Sequence, residues 1–292
     1  MKPVAFEYCR PDTVDEALEL LKEFGGDASI ISGGLSLGAM LNMRLVRPKA
    51  VIDINGLEDL ANITVGDATV STGALVRQAA AMQYPALMAD VPLLALALPN
   101  VGHYQTRSRG TLGGSVAHAD PSAEIPLALV TLSGAVTLQS PRGKRDMPAR
   151  EFFLGLLTTD RHADEVITGL TWPRRRDRTG YAFEEIAQRY GDFAITAVAA
   201  EATIGSDGNI SDLSLGLGGV EDRPFVAATG AFVGQPGTVA TAEDIANTIA
   251  ETVDPMIDLQ ANADYRRQLV RVLGARVLMA AFTDATRQRE AA

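Results

Sequence analysis

His103-Tyr-Gln-Thr-Arg-Ser-Arg-Gly-Thr-Leu-Gly-Gly-Ser-Val-Ala-His-Ala-Asp-Pro-Ser-Ala-Glu124 stands near the middle of a 292-residue chain and follows no sustained apolar period. Gly110, Gly113 and Gly114 fall within five residues, which frees the backbone for positive φ and for close approach of a ligand. Thr111 and Ser115 add hydroxyls, Arg107 and Arg109 add cations, and Asp120 and Glu124 close the run with acceptors. That mixture suits a phosphate ester followed by sugar hydroxyls. A glycine-rich surface loop with no ligand is the competing reading, and spacing alone does not separate the two.

A second glycine stretch lies upstream. Thr13-Val-Asp-Glu16 is a capping box, and Val14, Ala17, Leu18 and Leu21 share one face of the helix it starts. Gly25-Gly26 ends that helix. Ala28 to Ile31 reads as a short buried strand running into Ser32-Gly-Gly-Leu-Ser36, and Leu37 to Leu45 has helical composition with Pro48 as a stop. Strand, glycine turn and helix in that order aim free N–H groups and a helix N-terminus at one point, which is a ready anion site. A tight turn with no ligand is again the alternative.

Val51 to Ile54 makes a strand that closes a first lobe, residues 1–56. A second lobe, 57–176, opens with strands around Ile63–Val65 and Thr69–Thr72 joined by Gly66-Asp67. Helical stretches follow near Val76–Met82, Pro92–Leu98 and Ile125–Leu132, with strands at Val136–Gln139 and Val166–Thr171. Trp172 reads as core. Arg174-Arg-Arg-Asp-Arg178 reads as an exposed linker, with a docking patch for an acidic partner as the alternative. In a third lobe, 177–292, Ile195–Ile204 and Leu213–Leu217 flank Asp207-Gly-Asn209 as a hairpin, and helices led by Thr241 and spanning Leu269 to Ala280 follow.

Composition narrows the function. The net charge of −10 argues against a nucleic-acid partner and leaves any phosphate to be held by local dipoles. Cys9 is the only cysteine, so the chain has no intrachain disulfide and no thiolate set for zinc or iron–sulfur clusters. No run of eighteen apolar residues predicts a membrane span and no signal-like start is evident, so the expectation is a cytoplasmic protein. There is no NTPase phosphate loop, and Gly216-Leu-Gly-Gly219 lacks the third spaced glycine and the helix of a dinucleotide fingerprint. His103, His118 and His162 have no carboxylates at ligand spacing, and no serine or cysteine stands in a nucleophile motif. Two phosphate-cradling stretches without acid–base machinery describe a protein that holds a cofactor and lets the cofactor do the chemistry.

On these residues the chain resembles the FAD-binding (medium) subunits of molybdenum hydroxylases, the family of carbon monoxide, xanthine and nicotine dehydrogenases. Ser32-Gly-Gly-Leu-Ser36 with Leu41-Asn-Met-Arg-Leu-Val-Arg-Pro48 is similar to that family's first signature, and Arg107 to Pro126 to its second. Arg189-Tyr-Gly-Asp-Phe-Ala194 and Arg223-Pro224 are similar to a third and a fourth.

The resemblance implies an α+β fold: a two-lobed FAD-binding domain of the PCMH type, then a smaller α+β C-terminal domain of the CO dehydrogenase flavoprotein type. It implies non-covalent FAD, with Ser32, Gly33, Gly34, Leu35 and Ser36 and Thr111, Leu112, Gly113, Gly114 and Ser115 cradling the pyrophosphate, mostly through backbone N–H. Asp120 is expected to accept from flavin-side hydroxyls, and Phe193 to lie close to the isoalloxazine. Leu35 stands where many relatives have Gln or His, and Phe193 supplies a ring face without a hydroxyl. The implied partners are a small subunit with [2Fe–2S] clusters and a large subunit with the molybdopterin cofactor, as a dimer of heterotrimers. No catalytic residue or metal site is expected in this chain. The alternatives are a stand-alone FAD-dependent oxidase or reductase of the same fold and a nucleotide-binding module with no redox role. Gly113 is expected at positive φ on a surface connection, so that Gly113→Val leaves a folded protein without flavin.

Overall fold

In a computed structural model that describes residues 2–291, the chain builds three larger sheets and a two-stranded hairpin. The first holds β1 (Glu7–Cys9), β3 (Ala50–Asp53) and β2 (Ala28–Ile31), paired in parallel with β3 in the middle. The central strand is flanked on both edges, and Ala50, Val51 and Ile52 are all buried, which is why it reads as a continuous apolar run. Helix α1 (Val14–Phe24) covers it with Ala17, Leu18 and Leu21. Thr13 caps that helix, its hydroxyl accepting the Glu16 N–H at 3.1 Å, and Gly25 ends it at φ 55°. α2 (Leu35–Asn42) follows β2 directly. It begins two residues earlier than its composition suggested and stops well before Pro48, at a turn where Arg44 takes φ 59°.

The second sheet is antiparallel, in the order β4 (Ile63–Val65), β5 (Thr69–Gly73), β10 (Val166–Pro173), β6 (Ala135–Ser140) and β7 (Gly143–Pro148). Trp172 on β10 is fully buried and donates from Nε1 to the Thr72 hydroxyl at 3.0 Å. Between β5 and β6 run six helices: α3 (Gln78–Met82), α4 (Pro85–Asp90), α5 (Pro92–Ala97), α6 (Tyr104–Arg109), α7 (Leu112–His118) and α8 (Glu124–Thr131). A short helix, α9 (Ala149–Phe152), leads into the hairpin of β8 (Phe153–Gly155) and β9 (Thr158–Thr159).

The third sheet, β11 (Thr179–Ala187), β12 (Ala194–Ile204), β13 (Ile210–Gly218) and β14 (Phe225–Val226), is antiparallel. Its strand β12 is buried on both faces. On β12, Ala197 and Ala199 pack into the core that contains α8, whereas Val198, Ala200 and Ala202 pack against α10 (Val239–Thr252) and α11 (Ala263–Ala291). The two-residue period of a strand thus sends alternate small side chains into two different cores. This explains why every residue of α8 is buried: it is sandwiched between lobes.

The buried Arg266 of α11 donates to the carbonyls of Ile195 and Gly219 and pairs with Asp258 at 2.6 Å. Gly219 in turn donates to Pro121 O at 2.7 Å, which ties this lobe to the α7–α8 connection. Arg174 to Arg178 links the second and third sheets and is mostly exposed, but it is not slack. Arg174 pairs with Asp90 at 2.8 Å on one side, and Arg176 with Glu201 at 3.1 Å and Asp212 at 2.9 Å on the other. None of the described helices is long and apolar enough to cross a membrane.

Candidate functional site: a cleft along the two glycine stretches

The central run is not a loop. Thr111 caps α7, its Oγ1 accepting the Gly114 N–H at 3.0 Å, and Leu112 and Val116 bury one face one turn apart. Those two apolar positions after a threonine were the available helix signal, obscured by two glycines of low helix propensity. Gly113 is buried in the first turn, and none of Gly110, Gly113 and Gly114 takes a positive φ. The expectation of left-handed backbone on a surface connection is therefore corrected.

These positions are glycine because other groups come close. A Cβ on Gly113 would lie 2.5 Å from Ala74 Cβ, and one on Gly110 2.6 Å from Gln78 Oε1. A Cβ on Gly114 would lie 2.6 Å from Thr111 Oγ1 and 2.9 Å from Ser32 Oγ.

The first stretch meets the second across the seam between lobes. A Cβ on Gly33 would stand 2.6 Å from the Arg109 carbonyl oxygen and 2.9 Å from Gly110 Cα, so backbone lies directly on backbone. The Ser32 and Thr111 hydroxyls are 3.1 Å apart. Two residues that sequence reasoning passed over fix this contact. Asn55, just beyond β3, donates to Ser32 O at 2.8 Å and to Asp53 Oδ1 at 2.6 Å. Arg77 donates to Asn55 Oδ1 at 2.6 Å and to Arg109 O. Neither residue belongs to a motif; each matters only because the fold brings 22 to 32 residues of separation together.

Along the seam runs a cavity of about 590 Å³, within the range of small-molecule sites. Of the twelve candidate residues, Ser32, Gly33, Gly34, Leu35, Ser36, Thr111, Gly113, Gly114, Ser115 and Phe193 line it. Leu112 is buried beneath, and Asp120 lies outside the wall with its Oδ1 accepting the Ser122 N–H at 2.9 Å.

The wall also contains Gln78, His118, Glu124 and Arg161; of these the sequence had offered Glu124 as an acceptor, while Gln78 and Arg161 stood in no motif. Glu124 is buried, and that burial, reinforced by the negative charge of Glu185, pushes its carboxyl up to about 8. Near neutral pH it therefore stands in the wall as a neutral acid able to donate a hydrogen bond. Burial lowers the His118 imidazole, which favours its uncharged form. Gln78 Oε1 is buried with no partner among the described residues, an acceptor left over in the wall.

The free donors are unevenly shared. Gly34 takes φ 73° at the start of α2, and the N–H groups of Gly33 to Leu37 bond to no acceptor among the described residues. In the second stretch, Leu112 N–H goes to Val76 O at 2.9 Å and Gly113 N–H to Ala74 O at 3.0 Å. Gly114 and Ser115 N–H groups go to Thr111 Oγ1 and Thr111 O. The first stretch thus offers a row of unused N–H groups at a helix N-terminus, where anions bind. The second supplies shape and hydroxyls. An elongated cleft with an anion-binding row, a leftover acceptor and a neutral acid suits a dinucleotide.

Comparison with known proteins defines the class. Residues 4–175 match the family described as the FAD binding domain in molybdopterin dehydrogenase, and residues 181–281 match the CO dehydrogenase flavoprotein C-terminal domain. The chain belongs to this family of flavoprotein subunits of molybdenum-dependent oxidoreductases.

Among individual relatives, the 6-hydroxypseudooxynicotine dehydrogenase complex subunit alpha of Paenarthrobacter nicotinovorans is 34% identical over 99% of both chains. The carbon monoxide dehydrogenase medium chain of Hydrogenophaga pseudoflava is 32% identical, over 97% of this chain and 99% of its own length. Solved structures agree in shape. Carbon monoxide dehydrogenase from Hydrogenophaga pseudoflava superposes with a TM-score of 0.94 at 32% identity, covering 97% of this chain and 99% of that one. Quinoline 2-oxidoreductase from Pseudomonas putida 86 superposes with 0.92 at 33% identity, covering 98% and 99%. The α+β fold, the FAD-binding domain and the flavoprotein C-terminal domain expected from the sequence all stand.

Proposed function

We propose that this chain is the FAD-carrying electron relay of a heteromeric molybdenum hydroxylase. The observation that carries the reading is the joining of both glycine stretches along one cleft, with the N–H groups of Gly33 to Leu37 unused at its wall. In this reading the row of N–H groups and the α2 N-terminus hold the pyrophosphate. The hydroxyls of Ser32, Ser36, Thr111 and Ser115 border it, and Phe193 at the turn between β11 and β12 flanks the flavin ring. Bound there, FAD supplies a two-electron store. The protein orients it, excludes water from one side through the third lobe, and presents Glu124 as a proton-bearing group in the wall.

The chain has one cysteine, too few to hold an iron–sulfur cluster, and in this reading the electrons come from [2Fe–2S] centres in a small partner subunit. A large partner carries the molybdenum cofactor and the organic substrate, and an external acceptor takes the electrons from FAD. The assembly is a dimer of heterotrimers in the cytoplasm.

Purification from the native host tests this. Two further chains should accompany this one, the smaller holding iron and the larger molybdenum, with the flavin on this chain. A single chain that turned over an organic substrate unaided would overturn the relay and favour a stand-alone oxidase.

A further inference from the structure

Arg161 lies just beyond β9, in the wall of the cleft, and forms no ion pair among the described residues; Asp164 and Glu165 act on it only through space, and Asp164 is paired with Arg142 at 2.5 Å. Its Nη1 donates to two carbonyl oxygens, Glu165 O at 2.7 Å and His162 O at 3.0 Å. No carboxylate among the described residues comes within ion-pairing distance of its guanidinium. The nearby Glu165 is already taken: Arg145 grips it at 2.7 and 2.8 Å, and the His162 N–H donates to it at 2.8 Å. Taking a cation partly out of water without a counter-ion is unfavourable unless something else supplies the negative charge.

Arg161 is also the only arginine or lysine among the residues that line the cleft, in a chain of net charge −10 whose lining includes Glu124 and Asp192. Of the other arginines near the seam, Arg109 is exposed and stands outside the cleft wall, and two are occupied at its edge. Arg77 holds Asn55 and Arg109 O, and Arg107 donates to the carbonyls of Val101 and Gly102.

The charge balance points the same way. A dinucleotide pyrophosphate carries two negative charges, a row of N–H groups at a helix start answers them with partial charge only, and the backbone of the second stretch is already committed to Val76, Ala74 and Thr111. We propose that the Arg161 guanidinium supplies the missing positive charge, engaging the pyrophosphate of the bound dinucleotide. This rests on the cleft being the FAD site, as read above. A guanidinium suits the role because it stays charged and keeps donors on Nε and Nη2 while Nη1 remains anchored to the loop.

The test uses the full chain stripped of flavin, titrated with FAD by quenching of flavin fluorescence, with ADP as a competitor that has a pyrophosphate but no flavin. Arg161→Gln and Arg161→Lys are compared with the unaltered protein, and melting temperatures check folding. We expect Gln to weaken FAD by tenfold or more and to weaken ADP competition alike, while Lys retains most of the affinity of both.

Unchanged FAD affinity in Arg161→Gln overturns the proposal while leaving the FAD site itself intact. So does a loss of FAD with ADP competition untouched, which would place the charge at the ring instead. If Gln fails to fold, Lys decides alone: a folded Lys variant as weak as tenfold below the unaltered protein would mean that charge is not what Arg161 contributes. Failure of the unaltered chain to bind FAD at all would instead strike the reading of the site.

Discussion

Gly33→Val is expected to yield a folded protein that cannot retain flavin. The new Cβ would sit 2.6 Å from the Arg109 carbonyl oxygen and 2.9 Å from Gly110 Cα, and both are backbone atoms that no side-chain rotation can move aside. Relief requires the first stretch to separate from the second. That separation breaks the contact between the Ser32 and Thr111 hydroxyls at 3.1 Å and pulls on the Asn55 bond to Ser32 O at 2.8 Å.

Overpacking of this kind costs about 1–3 kcal/mol, and here it falls on the seam where the dinucleotide binds. Since each 1.4 kcal/mol is about tenfold in affinity, FAD should weaken by roughly one to two orders of magnitude from misplacement of the N–H row alone. The contact joins two lobes and lies in neither core, so the flavin-free melting temperature should fall little. Flavin content, with far-UV circular dichroism and melting of stripped samples, measures both. Full flavin occupancy in a folded Gly33→Val protein would show that the seam is not the binding site.

Gly113→Val is expected to fail differently, by damaging the second lobe itself. Its Cβ would meet Ala74 Cβ at 2.5 Å and both Ala74 Cα and O at 2.7 Å, inside one lobe and with Gly113 fully enclosed. The same residue donates its N–H to Ala74 O at 3.0 Å, so moving α7 away also loses a buried hydrogen bond. An orphaned buried amide costs about 1–3 kcal/mol on top of the overpacking. Flavin loss and a lowered melting temperature should therefore appear together.

The comparison must be made between flavin-free samples, because bound FAD stabilises the folded state by mass action. A Gly113→Val protein with an unaltered flavin-free melting temperature would return the residue to the role the sequence first suggested, a backbone approach to ligand alone.

The contrast between these glycines shows what the sequence could and could not reveal. Thr13 and Glu16 announce α1, since a capping box is local chemistry, and the Thr13 cap is present in the fold. Ser32 to Ser36 was readable as strand, glycine turn and helix because free N–H groups at a helix start follow from order alone. The pairing of β12 with β13 around Asp207-Gly208-Asn209 was equally local.

Gly113 looked like its counterpart Gly34, yet only Gly34 takes φ 73°. A glycine chosen for conformation and one chosen for crowding are the same letter, and the crowding comes from Ala74, which is remote in sequence. Asn55, Arg77 and Arg161 escaped for a related reason. Their importance comes from partners they meet only in three dimensions, and each is a commonplace polar residue in a stretch without pattern. Glu124 was visible as an acceptor, but its neutral state depends on burial between two lobes and on Glu185, which β11 of the third lobe brings near it.

The central claim is that this chain holds FAD, non-covalently, in the cleft between its glycine stretches. Acid precipitation of the purified chain measures that most directly. The account predicts a yellow supernatant containing FAD at close to one per chain, above a colourless pellet. Flavin left in the pellet, FMN in place of FAD, or a chain that stays colourless after incubation with excess FAD would contradict it.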